Sequence, residues 1–444
     1  SINEIIMSVI NKLYSTIQKM RNLITKLDEE KLQYHIHNLK LRINETYNLN
    51  LESYSDLHKW SIDNLDAFWS FIWDDLDIIY SKNYKEVIKN SASMLESSWF
   101  IGSKLNFAEN LLRFRNNHVA IEFYNEDNIK KNITYEELYS IVAKTAKFFK
   151  KLGLKKGDRI VGVLPNIPET VISMLAASSI GAIWSSCSPD FGFQSIFDRI
   201  SQIKPKILIS INGYSFKGKQ LDMNSKIIKI KESINSIKHT IIIEYLTSIP
   251  VLHSCLNWND IIKDSDKIDK IEFTQLPFDH PLYIMYSSGT TGKPKSIVHS
   301  AGGTLIQHMK ELKYHVNLNP RDKIFYYTTC GWMMWNWLVS SLSIGATIVL
   351  YEGSPFYPNP DSLLKIIDKN KINIFGTSAK YISYLYSKSI VPSLIGEFAC
   401  LNTILSTGSP LSMTSFEYIY KSWKKDVQLS SISGGTDIIS CFAL

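Results

Sequence analysis

The sequence predicts an α/β protein with largely parallel sheets. Two observations support this prediction: amphipathic helical patterns alternate with short apolar runs after residue 124, and those runs, such as KPKILIS (204–210) and TIIIEYL (240–246), are rich in Ile. Strands of parallel sheets are covered by helices on both faces and therefore carry continuous apolar runs. We expect these elements to build one large domain over residues 86–444, preceded by a helical region over residues 1–85.

The helical region is predicted from spacing alone. Residues 1 to about 49 place Leu and Ile three and four positions apart, as at Leu23, Ile24, Leu27 and Leu32, which indicates amphipathic helices. Residues 55–78 place Trp and Phe at the same spacings. This second segment predicts a helix packed on a larger core.

The alternating elements start after Tyr124. A helix is expected from Thr134, which is a good N-cap residue, to a stop at Gly153. A buried strand follows at 159–164, then a helix at 169–181 and a strand at 182–186. The two apolar runs named above extend the same pattern, so the helices and strands are expected to cover one another.

Composition restricts the class of protein. The 444 residues allow two to four domains, and 45% hydrophobic with 20% charged residues excludes a fibrous or a largely disordered chain. The net charge of +7 comes from 49 basic and 42 acidic residues that are scattered along the chain. We therefore expect no nucleic-acid partner, because nucleic-acid binding proteins cluster their basic residues on one face. An anionic small molecule remains a possible ligand.

Cysteine usage and hydropathy point to a cytoplasmic protein without a membrane partner. The five cysteines are far apart and form no CxxC pair, which argues against a disulfide framework and against a zinc site. No apolar run reaches about 20 residues, the length that spans a bilayer. The first 20 residues lack the apolar core of a signal peptide.

A loop of small residues carries the clearest chemical signal. A strand ending at Tyr286 is followed by Ser287, Ser288, Gly289, Thr290, Thr291, Gly292, Lys293, Pro294 and Lys295, and a helix is expected from near Gly303. Hydroxyls, unobstructed backbone N–H groups and lysines suit polyphosphate oxygens. The P-loop of kinases and ATPases is excluded, because it needs four residues between its glycines and Ser or Thr after the Lys.

The segment YSSGTTGKPKSIVH (286–299) resembles the phosphate-binding signature of the adenylate-forming superfamily of acyl-CoA synthetases. Within that superfamily, three further segments are more similar to the acetoacetate-activating branch than to the acetate-activating one. They are WFIGSKLNFAENLL (99–112), GAIWSSCSPDFG (181–192) and CGWMMWNWLVSSL (330–342). The resemblance runs from about Ser53 to Leu444. It implies the large N-terminal domain of that fold, with stacked mixed sheets and flanking helices.

The resemblance also implies an activity and its cofactors. An enzyme of this kind joins acetoacetate to coenzyme A through an acyl-adenylate, using ATP and Mg²⁺ and releasing AMP and pyrophosphate. Its partners are then small molecules. Catalytic roles are implied for Lys293 in the loop, for Thr436 at the α-phosphate and for Asp437 at the metal. The nucleotide is expected to contact the loop Ser287 to Lys295, Gly408, Ser409 and Pro410, and the motif Ser433, Gly434, Gly435 and Thr436, with Ser409 standing where the family has an acid.

The acyl pocket implied by the resemblance comprises Trp332, Met333, Met334, Thr407 and Gly434. Acetate-activating enzymes have Trp where Gly434 stands, so a wider pocket is expected here. Arg199 matches an arginine near the 3′-phosphate of coenzyme A. A structural alternative stays open for the aromatic and Met cluster, because such clusters more often build cores than bind ligands. His299, His308 and His315 are expected to be core or surface residues without a metal.

The family's smaller C-terminal lid domain, which carries the adenylation Lys, has no counterpart before Leu444. We therefore expect this chain alone to bind ATP weakly and to adenylate poorly. Two alternatives remain at this stage: a ligase for acetate or another short acid, and a non-catalytic nucleotide-binding module. The oligomeric state is not predicted.

Overall fold

The computed structural model describes residues 34–90, 93–94, 96–263, 270–287 and 292–444. The helices predicted around Leu23 to Leu32 lie outside the described residues. Among the described helices, none combines the length and the apolarity needed to cross a bilayer.

The α-helices of the described residues are α1 (His35–Tyr47), α2 (Tyr54–Asp63), α3 (Leu65–Asp75), α4 (Phe107–Leu111), α5 (Tyr135–Lys151), α6 (Pro168–Ser179), α7 (Phe193–Ile203), α8 (Asn224–Ser233), α9 (Trp258–Lys263), α10 (Ala301–Lys310), α11 (Met333–Ser340), α12 (Ser362–Lys369), α13 (Ala379–Ser387) and α14 (Met413–Tyr418). Helix α10 continues as a π-helical turn (Glu311–His315), and α14 continues as another (Ile419–Trp423). Short 3-10 turns occupy Ser341–Ile344 and Pro392–Leu394.

The strands are β1 (Tyr80–Lys82), β2 (Glu86–Lys89), β3 (Ser98–Ile101), β4 (Lys104–Leu105), β5 (Val119–Asn125), β6 (Lys130–Thr134), β7 (Arg159–Val163), β8 (Ile183–Cys187), β9 (Ile207–Ile211), β10 (Gly213–Phe216), β11 (Lys219–Asp222), β12 (His239–Ile243), β13 (Leu256–Asn257), β14 (Leu276–Pro277), β15 (Pro281–Tyr286), β16 (Ser296–Ser300), β17 (Lys323–Tyr326), β18 (Thr347–Glu352), β19 (Ile374–Ser378), β20 (Thr403–Thr407), β21 (Gln428–Ser431), β22 (Ser433–Gly435) and β23 (Ser440–Ala443).

Two seven-stranded mixed sheets form the body of the protein. Their strand orders are β13-β12-β9-β7-β8-β15-β16 and β21-β20-β19-β17-β18-β5-β6. Each is parallel except for one antiparallel pair at an edge, β15 with β16 and β5 with β6. The predicted α/β class with mixed sheets is confirmed. The inner strand β9 is buried at every position, as expected for a strand covered on both faces.

Local sequence signals place several elements within two residues of their predicted bounds. The side chain of Thr134 accepts a hydrogen bond from the Glu137 backbone N–H (3.2 Å), while Glu137 returns the contact to the Thr134 backbone, so a capping box starts α5. Strand β7 occupies Arg159–Val163, as predicted for 159–164, and α6 occupies Pro168–Ser179, against 169–181.

The aromatic segment 55–78 forms two helices where one was predicted. Asn64 separates α2 from α3 with non-helical backbone angles, and its backbone N–H and its side-chain amide both donate to the Trp60 carbonyl (3.0 Å each). Asn competes with helical hydrogen bonding in this way. The packing itself agrees with the prediction, because Trp73 is buried and stacks on Phe100 with ring centroids 4.7 Å apart. A domain boundary at residue 85 remains a prediction.

Candidate nucleotide and acyl site

A cavity of about 480 Å³ lies at the carboxyl ends of three neighbouring strands of the second sheet. Tyr326, Ser378 and Thr407 are the last residues of β17, β19 and β20, and all three line it. Ligands of parallel sheets bind at this edge, because loops that leave adjacent strands can diverge there and leave a crevice. The remaining lining residues are Tyr327, Thr328, Thr329, Trp332, Met333, Met334, Thr377, Gly408, Ile432, Gly434, Gly435, Thr436 and Cys441.

The structure brings together the residues predicted for the acyl pocket. Trp332 is the N-cap of α11 and is 54% exposed, whereas Met333 and Met334 are buried in the first turn of that helix. Thr407, the last residue of β20, has its hydroxyl 2.9 Å from the hydroxyl of Tyr326. All of them line the same cavity as Gly434, so residues about 100 positions apart in sequence meet at one cavity.

The backbone around Gly434 is tighter than sequence comparison suggests. Strands β22 and β23 pair as an antiparallel hairpin, and a Cβ atom built on Gly434 would lie 2.3 Å from the Ser440 carbonyl oxygen and 2.8 Å from the Cys441 Cα. Both contacts are with backbone, which cannot rotate away. A bulky residue at 434 would therefore require a different path for this hairpin, so the absence of an indole does not by itself explain the open space.

Of the residues predicted to bind the nucleotide at the end of the second sheet, some line the cavity and others are exposed beside it. Gly408 lines the cavity and has a positive φ of 87°, a backbone conformation that favours glycine. Ser409 and Pro410 are exposed beside it. Gly435 and Thr436 line the cavity, while Ser433 is exposed outside it. The Thr436 carbonyl accepts a hydrogen bond from His299 Nε2 (2.7 Å).

Asp437 follows Thr436 and is exposed. Among the described residues, no group of three or more His, Cys, Asp or Glu side chains could hold a metal by themselves. One carboxylate nevertheless fits Mg²⁺, which usually takes one or two protein carboxylates and completes its shell with phosphate and water. Asp437 thus fits a metal that arrives with a nucleotide.

The phosphate loop is described at its two ends, and the predicted residues Ser288, Gly289, Thr290 and Thr291 lie outside the described residues. The Ser287 backbone N–H donates to the Lys295 carbonyl (3.1 Å), which closes the base of the loop. Gly292 has a positive φ of 119° with no atom near its Cβ position. Lys293 is 74% exposed, with Nζ 3.9 Å from Asp198 Oδ1 on α7, and Lys295 is exposed.

Two residues of α7 that the sequence analysis missed hold the end of this loop. Gln202 donates to the Pro294 carbonyl (2.8 Å) and accepts from the Ser296 hydroxyl (2.9 Å), and Asp198 faces Lys293. Asp198 and Gln202 are four residues apart and therefore share one face of the helix. That spacing is the signal available in the sequence, but it is common to any exposed helix face.

Arg199 lies on the same helix, near the start of the loop. Its Nη1 donates to the carbonyl and the hydroxyl of Ser195, and its guanidinium lies over the rings of Phe191 (4.8 Å) and Tyr286 (6.0 Å). It does not line the cavity. Its predicted contact with coenzyme A remains a prediction.

A half-buried acid, Glu352, lies behind the cavity wall. Glu352 Oε2 accepts from the Asn166 backbone N–H (2.8 Å), and the Asn166 side chain donates to the carbonyl of Thr328, which lines the cavity. Burial, reinforced by Asp190 and Glu126, raises the pKa of Glu352 to about 7. The sequence analysis did not select this residue, because a Glu at the end of an apolar strand has no distinctive local pattern.

A larger cavity, of about 680 Å³, lies between the aromatic residues Trp69 on α3 and Trp99 on β3 and the start of α10. Its described lining contains none of the predicted site residues. Size alone would select this cavity, whereas the predicted motifs select the smaller one at the strand ends.

Comparison with known proteins agrees with the resemblance seen in the sequence. Residues 107–441 match the family described as "AMP-binding enzyme", and residues 54–111 match "Acetyl-coenzyme A synthetase N-terminus". An acetoacetyl-CoA synthetase of Gallus gallus is 45% identical over 93% of this chain and 64% of its own length. The acetoacetyl-coenzyme A synthetase of Rhizobium meliloti is 42% identical over 90% of this chain and 62% of its own length.

A malonamoyl-CoA synthetase of Penicillium aethiopicum is 38% identical over 91% of this chain and 60% of its own length. The solved structure of the acetoacetyl-CoA synthetase from Streptomyces lividans superposes with a TM-score of 0.89 at 36% identity, covering 93% of this chain and 64% of that one. The chain thus spans about three fifths of the length of the curated relatives that it matches.

Proposed function

The chain belongs to the family of AMP-binding enzymes, and from this premise we propose that it is the large nucleotide-binding part of a ligase that converts acetoacetate to acetoacetyl-CoA. In the first step a carboxylate oxygen of acetoacetate attacks the α-phosphorus of ATP, and pyrophosphate leaves. In the second step the thiol of coenzyme A attacks the acyl carbon and AMP leaves. The mixed anhydride is needed because a free carboxylate is a poor acyl donor.

The observation that carries the proposal is the shared cavity. Thr436 and Gly408, predicted for the nucleotide, line the same space of about 480 Å³ as Met333, Met334 and Thr407, predicted for the acyl group. That volume lies within the usual range for small-molecule sites, about 300–1,000 Å³. An adenylation site must bring these two groups together, because the carboxylate and the α-phosphate react with each other.

We assign the roles by position. Thr436 would donate to the α-phosphate from the cavity wall, and Lys293 with Lys295 would neutralise the β- and γ-phosphates. Asp437 would hold Mg²⁺, which supplies further charge neutralisation at the phosphates when it is bound. Lys293 now faces Asp198, so phosphate oxygens would compete with that carboxylate for the ammonium group. Arg199 would bind the 3′-phosphate of coenzyme A.

The acyl substrate is proposed to be a short acid with a carbonyl group at the third carbon. Curated relatives named for acetoacetyl-CoA and for malonamoyl-CoA both match over about nine tenths of this chain. Both names refer to acyl groups with that second carbonyl. The Tyr326 and Thr407 hydroxyls meet at the cavity and can supply a hydrogen bond to such a group.

Pyrophosphate release by the enzyme that contains this chain tests the proposal. With ATP, Mg²⁺ and coenzyme A present, acetoacetate should give kcat/KM at least about tenfold above that for acetate, which lacks the second carbonyl. Malonamate serves as the matched competitor. A preference for acetate would refute the substrate assignment, and no release with any short acid would refute the activity.

We place the enzyme in a reducing cytoplasm, in keeping with five cysteines that are all free.

A further inference from the structure

Residues 436–439 connect β22 to β23, and together with Ser440 and Cys441, the first two residues of β23, they form the 436–441 turn. This turn carries Thr436 and Asp437 and contains a strained residue. Ile439 is buried and has a φ of +47°. A β-branched side chain rarely adopts this left-handed conformation, and such a residue persists where its surroundings hold it in place. The hydrogen bonds within the turn are long, 3.3 Å from the Ile438 N–H to Gly435 and 3.4 Å from the Ile439 N–H to Thr436. Support must therefore come from outside the turn.

The first outside contact is His308 on α10, which is completely buried. Burial lowers the pKa of His308, so its ring is neutral near pH 7. Its Nε2 lies 2.6 Å from the Ile439 carbonyl, which can only accept, so Nε2 carries the proton and Nδ1 accepts from the Ser340 hydroxyl (2.8 Å). The carbonyl of the strained residue is thus fixed by a buried donor.

The second outside contact is Glu311, the first residue of the π-helical turn and only 2% exposed. Its Oε1 accepts from the Ser440 hydroxyl (2.5 Å), the Cys441 backbone N–H (3.2 Å) and the Gln307 amide (3.0 Å). Its Oε2 accepts from Trp337 Nε1 (2.9 Å). Burying a carboxylate is costly unless donors surround it, and here four donors do.

Three of these four donors lie on the two segments that supply walls of the cavity, and the fourth, Gln307, is on α10. Ser440 and Cys441 belong to the turn, and Cys441 lines the cavity. Trp337 is on α11, one helical turn after Met333 and Met334, which form the proposed acyl wall. One carboxylate therefore joins the segment that carries the proposed nucleotide residues to the helix that carries the acyl wall.

We infer that Glu311 is a positioning residue, which holds the 436–441 turn against α11 so that the α-phosphate and the acyl carboxylate meet at reacting distance. This inference rests on the proposed function. A displacement of about 1 Å between reacting groups can lower a rate about 100-fold. Glu311 touches neither substrate and acts through the turn and through Trp337.

Glu311→Gln is the discriminating variant. Its amide has one oxygen and one NH₂ group, so if the oxygen faces Ser440 and Cys441, the NH₂ faces the Trp337 N–H and two donors oppose each other. We expect hydrogen exchange at the amides of residues 439–441 to rise at least about tenfold, and kcat to fall about 10- to 100-fold with little change in the KM for ATP. Adding Trp337→Phe removes the opposing donor and should restore part of kcat.

Glu122→Gln is the matched control, since Glu122 is also buried, pairs with Lys323 (2.6 Å) and lies on β5 in the far part of the second sheet. It should leave exchange at 439–441 unchanged. Unchanged exchange in Glu311→Gln overturns the inference, as does raised exchange with an unaltered kcat. If Glu311→Gln does not fold, Trp337→Phe alone must raise exchange and lower kcat, or the inference fails. A wild-type enzyme without acetoacetate activity would instead refute the proposed function, and exchange would then decide the anchoring by itself.

Discussion

Gly434→Ala adds one methyl group where the backbone of β23 leaves no room. The new Cβ would lie 2.3 Å from the Ser440 carbonyl oxygen and 2.8 Å from the Cys441 Cα. Ordinary contact starts near about 3.4 Å, so the β22–β23 hairpin must open by about 1 Å. Overpacking of this kind costs about 1–3 kcal/mol of folding free energy. Because Thr436 lies only two residues after this position, the same shift should lower the adenylation rate about 100-fold.

The assay is acetoacetate-dependent pyrophosphate release by the enzyme that contains this chain, together with its free energy of unfolding in urea. Gly192→Ala is the control, because no atom lies within 4 Å of its Cβ position and its backbone is ordinary extended chain. The control should keep its activity and lose at most about 1 kcal/mol, because Gly is preferred over Ala at an N-cap. If Gly434→Ala matches wild type in both rate and stability, the proposed rigidity of the hairpin is wrong.

Two further predictions concern charge. Lys293→Ala should weaken MgATP binding about tenfold, measured by calorimetry, because it removes a charged donor to phosphate. Asp198→Asn should leave MgATP binding unchanged or make it tighter, because it releases Lys293. Equal affinity of Lys293→Ala and wild type would contradict the phosphate-binding role of Lys293. Burial raises the pKa of Glu352 from 4.5 to about 7. The contribution of its protonated form to the free energy of unfolding is therefore fully present below pH 4.5 and is lost as pH rises through 7. The total loss is at most about 3 kcal/mol. Glu352→Gln should therefore unfold at higher urea than wild type at pH 8 but at similar urea near pH 4, and a constant difference at both pH values would contradict this sign.

Local sequence signals predicted much of the fold. Thr134 with Glu137 defines the start of α5, because a capping box needs residues only three apart. The continuous apolar run of β9 indicates burial on both faces without reference to any partner strand. Where the local signal is mixed, as at Asn64 in the aromatic segment, the prediction joined two helices into one.

The sequence by itself determined the class of fold, and it predicted a phosphate-binding loop and the candidate residues of the site. All of these are recorded in the order and type of neighbouring residues. The tertiary structure alone decided which of those candidates share a cavity, because Met333, Thr407 and Gly434 meet only when parallel strands align their carboxyl ends.

Tertiary structure also decided the surroundings that no motif contains. Gly434 is confined by the backbone of β23, and Glu311 is surrounded by donors from Ser440, Cys441 and Trp337. A buried carboxylate can be recognised as an anchor only when its partners are known, since hydrogen bonds between distant segments leave no pattern along the chain. The residue types thus predicted a candidate chemistry, and long-range packing determined where those residues lie relative to one another.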